Sequence, residues 1–95
     1  MHTLTDDYEW DDEKARANLL KHGVDFTEAV LALWDDSGIT LADEHPDEER
    51  YVTFGMDSFG RLLAVVYTWR GKTVRLISAR KATRTEARIY AARNL

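Results

Sequence analysis

Between Arg50 and Ala79 the chain carries three strand-like runs, residues 50 to 56, 61 to 69 and 72 to 79, separated only by the short segments "DSFG" and "RG". Connections this short join antiparallel neighbours, because a parallel return needs a crossover of a dozen residues or more. The stretch therefore folds as a meander of two consecutive hairpins. With a two-residue loop at Arg70 and Gly71, Trp69 faces Lys72, Val66 faces Arg75, and Arg61 faces Arg80. With a four-residue loop at "DSFG", Met56 faces Arg61 and Tyr51 faces Val66. Val52, Phe54, Met56, Leu63, Val65, Tyr67, Val74 and Leu76 then form the core face. Tyr51, Thr53, Gly55, Leu62, Ala64, Val66, Thr68, Arg75, Ile77 and Ala79 form the other. A bulge in either hairpin would exchange these faces.

The flanking segments read as helices. Asp11 can cap a helix that runs to about His22, with Asp12 and Glu13 in its first turn and Gly23 as a left-handed stop. Asp25 repeats the device with Glu28 three residues on, and Phe26, Ala29, Val30, Leu33 and Trp34 make one amphipathic stripe. "DYEW" reads as an edge strand, "ITLAD" as a short strand and "EHPDEER" as a charged loop. A last helix starts after Thr83, where Glu86 completes a T-x-x-E capping box. The expected class is α+β, a single domain over residues 1–95 with an antiparallel sheet, two N-terminal helices and a C-terminal helix.

The absence of cysteine excludes disulfides, thiolate metal sites and cysteine nucleophiles. No apolar run approaches the ~20 residues of a membrane span and no signal-like segment opens the chain, so a cytoplasmic location is expected. The net charge of -4 conceals a split: residues 1–49 hold fifteen acidic and three basic side chains, residues 50–95 two acidic and ten basic. That asymmetry points to one surface that meets an anion, against the plain alternative of two solvated faces.

Arg75, among small and polar neighbours, is the residue hardest to assign to packing. It reads either as a solvated arginine paired with a loop carboxylate or as a planar fork for phosphate oxygens, with Tyr51 beside it to stack a base. Arg61 opposite Arg80 would place like charges across a ladder, a pairing that an anion between them would relieve. Arg84 and Arg88, four apart on the last helix, extend the basic surface.

Three segments, "YEWDDEKARANLLKHGVDF", "DEHPDEERYVTFG" and "VVYTWRGKTVRLISARKATRTEARIY", together resemble the BrnT toxins of bacterial type II toxin-antitoxin systems. The resemblance implies a compact RelE-like ribonuclease that needs no cofactor, neutralised by a BrnA-like antitoxin whose ribbon-helix-helix domain binds operator DNA. Metal-free RNA cleavage by the ribose 2′-hydroxyl needs a base, an acid and cations for the developing charge. Arg75 and Arg80 are the first candidates for the cationic role, with Lys81 beside them. Five residues apart, the two arginines would point to opposite faces of a regular strand. His22, beside Lys21, is a candidate proton acceptor, although both residues also suit the last turn of a helix. His45 in the acidic loop gives at most a weak metal signal, and no metal is expected. The competing reading is a noncatalytic module that acts as corepressor through a DNA-binding partner.

Overall fold

The computed structural model describes residues 2–5 and 7–94. The chain runs β1 (His2–Thr5), β2 (Tyr8–Trp10), α1 (Asp12–His22), α2 (Phe26–Leu33), β3 (Ile39–Asp43), β4 (Arg50–Met56), β5 (Leu62–Arg70), β6 (Thr73–Lys81) and α3 (Arg84–Arg93). The strands form one sheet in the order β1-β2-β6-β5-β4-β3. Every pairing is antiparallel except β2 with β6, where the chain enters β6's free edge in parallel. The expected α+β fold is present, as a mixed rather than wholly antiparallel sheet.

The helix boundaries follow the local chemistry. The Asp11 carboxylate accepts from the Glu13 and Lys14 N–H groups, and Gly23 closes α1 at φ 69°. Asp25 accepts from Thr27, and Thr83 with Glu86 forms the complete capping box of α3. Two layers result. Phe26, Ala29, Val30 and Ala32 of α2, with Trp10 and Val24, pack on Leu63, Val65, Tyr67, Val74, Leu76 and Ala79. On the opposite face Tyr90 of α3 covers a smaller cluster of Ile39, Phe54 and Ala64.

Both hairpins depart from the expected registers, each for an identifiable reason. The first has a five-residue loop, residues 57–61, so that Met56 faces Leu62 and Tyr51 faces Tyr67. Asp57 builds it: one carboxylate oxygen accepts from the Phe59 and Arg61 N–H groups and the other from the Arg61 guanidinium at 2.7 Å. The extra residue exchanges the faces of β4. Tyr51, Thr53 and Gly55 turn toward the helices, and Val52, Phe54 and Met56 turn toward α3's side. Gly55 lies under α2, where a Cβ would overlap the Ala32 carbonyl.

In the second hairpin Gly71, at φ 60°, and Lys72 form the tip, so that Trp69 faces Val74 and Thr68 faces Arg75. Neither the Trp69–Lys72 nor the Val66–Arg75 pairing occurs. A bulge at Ile77 then resets the ladder: Tyr67 faces Leu76, yet Val66 faces Ser78 and Ala64 faces Arg80. Ala79 thereby joins the buried core, and Arg61 does not oppose Arg80.

Beyond the bulge no strand of the described residues lies beside the edge of β6, and α1 supplies the missing ladder. The Asn18 amide donates to the Ala79 carbonyl at 2.8 Å and accepts from the Ala79 N–H at 3.0 Å. It also donates to the Val24 carbonyl at 3.0 Å. One buried side chain thus does for β6 what a neighbouring backbone would do.

Candidate functional site

The Ile77 bulge decides the site. Without it Arg75 and Arg80 would project to opposite sides; with the extra residue both project to the side of Thr68, Val66 and Ala64, the face that α3 only partly covers. The obstacle posed by their five-residue separation is removed by the bend of the strand.

Neither guanidinium is a bare cation. Arg75 pairs with Glu9 on β2 at 3.3 Å, and the two side chains are 16% and 14% exposed. Arg75 is therefore set into the sheet surface and not solvated above it. Arg80 makes the two parallel bonds of a fork with Glu86, at 2.7 and 3.0 Å, and retains 38% exposure. The bond to Arg80 dominates the Glu86 carboxyl and, against burial, holds it below its usual value, while the same bond raises Arg80. Glu86 also accepts from the Thr83 N–H at 2.8 Å, so one carboxylate serves both Arg80 and the cap of α3.

The other expected site residues separate. Tyr51 faces the helices, against Tyr67 at 5.8 Å between ring centroids, and does not stand beside Arg75. Arg61 is a structural clamp: it binds Asp57, donates to the Gly23 carbonyl at 3.0 Å and lies over the Phe59 ring. Lys21 and His22 occupy the last turn of α1, on the opposite side of the sheet from Arg75 and Arg80. Lys81 follows Arg80 at the strand's end, and Lys81, Arg84 and Arg88 are exposed. His45 accepts from the Asp47 N–H within its own loop.

Two carboxylates complete the arrangement. Glu9 lies 66 positions from Arg75 in sequence, and only the parallel β2–β6 pairing joins them. Glu86 was legible as a cap, but its second role depends on where the bulge aims Arg80. The resulting arrangement places two guanidinium–carboxylate pairs on one face, opposite Thr68 and Ala64 and so roughly 13 Å apart along the strand at about 3.3 Å per residue, each able to hold anionic oxygens and to exchange a proton beside them.

No match to a curated protein was found. Among solved structures, the fold superimposes on the Brucella abortus ribonuclease toxin BrnT with a TM-score of 0.66 at 26% identity, covering 84% of this chain and 100% of that one. Residues 10–86 match the family described as the ribonuclease toxin BrnT of type II toxin-antitoxin systems, a span that contains both arginines, Glu86 and the bulge but leaves Glu9 one position outside. The chain belongs to the BrnT family of ribonuclease toxins.

Proposed function

We propose that this chain cleaves RNA without a metal ion, holding the scissile phosphate between Arg75 and Arg80. The observation that carries the reading is the bulge that turns both guanidinium groups to one face. The 2′-hydroxyl attacks the adjacent phosphorus, the P–O5′ bond breaks, the departing O5′ takes a proton from solvent, and the negative charge that builds on the nonbridging oxygens is met by the two forks. Glu9, beside Arg75, takes the 2′-hydroxyl proton, and Lys81 at the rim helps to hold the backbone. Lys21 and His22 have no part in this step, because they lie across the sheet. Arg84 and Arg88 guide the RNA as an exposed cationic stripe.

The partner in this reading is a BrnA-like antitoxin with a ribbon-helix-helix domain, which covers the arginine face in the cytoplasm and carries the pair to operator DNA. Loss of a phosphate contact made in the transition state costs about 2 to 4 kcal/mol, or roughly 30-fold to 1000-fold in rate. Arg75→Lys is the informative change, since it keeps a charge near Glu9 and removes the planar fork. Single-turnover cleavage in a chelator should persist in the unaltered protein and fall by that factor in the variant. Cleavage that stops in chelator and returns with a divalent ion refutes the metal-free step. One observation favours a second reading, in which the chain is a noncatalytic corepressor: both forks already hold carboxylates. That reading requires RNA to survive with purified, folded protein.

A further inference from the structure

A different cavity lies on the helix side of the sheet, beyond the end of α2. It encloses about 230 Å³, and Tyr8, Tyr67, Trp69 and Val74 contribute to its walls. This volume falls below the ~300 Å³ at which sites for drug-sized ligands begin, so it suits a single ring system better than a whole nucleotide. Trp69 lines the cavity, and Trp34 packs against its Tyr8 wall. Trp34 and Trp69 are 56% and 52% exposed, an unusual amount for two indoles in so small a chain. Trp34 stands edge-on to Tyr8, and Trp69 edge-on to Tyr67.

The hydroxyl groups of the cavity are arranged as donors. Trp34 Nε1 donates to the Tyr8 hydroxyl at 2.8 Å, which leaves the Tyr8 O–H to point elsewhere. Thr53 donates to the Tyr67 hydroxyl at 3.2 Å, with Thr40 behind it at 2.7 Å, which leaves the Tyr67 O–H in the same position. A purely apolar occupant would strand such groups, whereas a heterocycle with acceptor atoms on its edge satisfies them. Asp35 also lines the cavity, and its charge opposes entry of a phosphate. Exposed Arg70 and Lys72, on the hairpin tip just after Trp69, favour a phosphate outside.

We propose that this cavity takes one unstacked nucleobase of a single-stranded RNA, with Trp69 as the stacking platform and the backbone held at Arg70 and Lys72. The inference rests on RNA being the substrate and adds a second contact away from the scissile phosphate. Arg75 lies two residues beyond Thr73, the first residue after the tip, roughly 7 Å along the strand at about 3.3 Å per residue. An RNA strand leaving Arg75 therefore rounds the hairpin tip to reach Trp69 on the other face.

The test uses a 2′-O-methyl single-stranded oligonucleotide, which cannot be cleaved, with an abasic site moved along it one position at a time. Stacking on one aromatic side chain is worth about 1 to 3 kcal/mol, so Trp69→Leu should weaken binding by roughly 5-fold to 150-fold. One abasic position should weaken binding to the unaltered protein by a similar factor, and have no further effect in Trp69→Leu. Thermal melts of the half-exposed variant should match those of the parent. If the protein binds and cleaves RNA while no abasic position couples to Trp69, the base pocket is wrong and the ribonuclease reading stands. If it neither binds nor cleaves RNA, both fall. If Trp69→Leu weakens only the antitoxin complex, the cavity holds a protein side chain and the inference is overturned.

Discussion

Asn18→Ala is expected to destabilise the fold far more than its single amide would indicate, because that amide replaces a strand. Asn18 is 7% exposed and makes three bonds of 3.0, 2.8 and 3.0 Å to Val24 and to both backbone groups of Ala79. Truncation leaves one N–H and two carbonyls without partners in a buried place. A stranded buried group costs about 1 to 3 kcal/mol, and a water entering the space can restore part of it, so the loss should be about 3 to 5 kcal/mol. That is a large share of the ~5 to 15 kcal/mol of a typical domain. Urea denaturation measures the loss, and hydrogen exchange at the Ala79 amide locates it. Since the amide pins β6 just after the bulge, the same variant should lose RNA cleavage at temperatures where it remains folded. A loss below about 1 kcal/mol with the Ala79 amide still protected would show that the bulge does not depend on this clamp.

Gly55→Ala should cost several kcal/mol in the same assay, because the new methyl overlaps the Ala32 carbonyl and α2 cannot withdraw without opening the core. Stability should fall in acid. Burial raises Asp35 and Asp57, but their hydrogen bonds outweigh it and hold both below 3.8, so their contribution is complete above the unfolded value and is lost as pH drops through the lower folded values. A melting temperature that stays flat from pH 5 to pH 2 (chosen to span roughly the carboxylate range) would contradict that. Arg84→Ala and Arg88→Ala should each weaken RNA binding modestly and flatten its dependence on salt, with single-turnover rates at saturation unchanged.

How much of this was legible follows the range of the interactions. The caps at Asp11, Gly23, Asp25 and Thr83 are set by residues within a few positions and all form, although Glu28, three residues after Asp25, turns its carboxylate to Ser58 and completes no capping box. The faces of the sheet depend on parity, which a single residue overturns. The "DSFG" turn becomes a five-residue loop because Asp57 can reach both the backbone and the guanidinium of Arg61, a choice no turn propensity contains. The strand just beyond the Ile77 bulge is held from further away still, by an asparagine 61 positions upstream. Arg75 and Arg80 could thus be recognised by type, while their common face and their partners Glu9 and Glu86 awaited the tertiary structure.

Charge separation along the sequence is partly closed by ion pairs in the fold. Among the basic residues of the C-terminal half, Arg50 and Arg75 take partners from the acidic half, Glu48 and Glu9, and Arg61 and Arg80 take Asp57 and Glu86. An anion approaching Arg80 must compete with Glu86, whose other bond holds the first turn of α3. Occupancy of the arginine and integrity of the cap are therefore linked. Glu86→Gln separates them, since a glutamine at this position still completes a capping box but offers only a neutral acceptor to the guanidinium. With one partner 38% exposed, the pair should contribute about 0.2 to 1 kcal/mol to folding, so the variant's melting temperature should barely move. Its affinity for a non-cleavable RNA should rise, because phosphate then displaces an uncharged group. An equal or lower affinity, with the fold intact, would mean that RNA does not use the Arg80 fork, and the scissile phosphate would have to be sought elsewhere on this face.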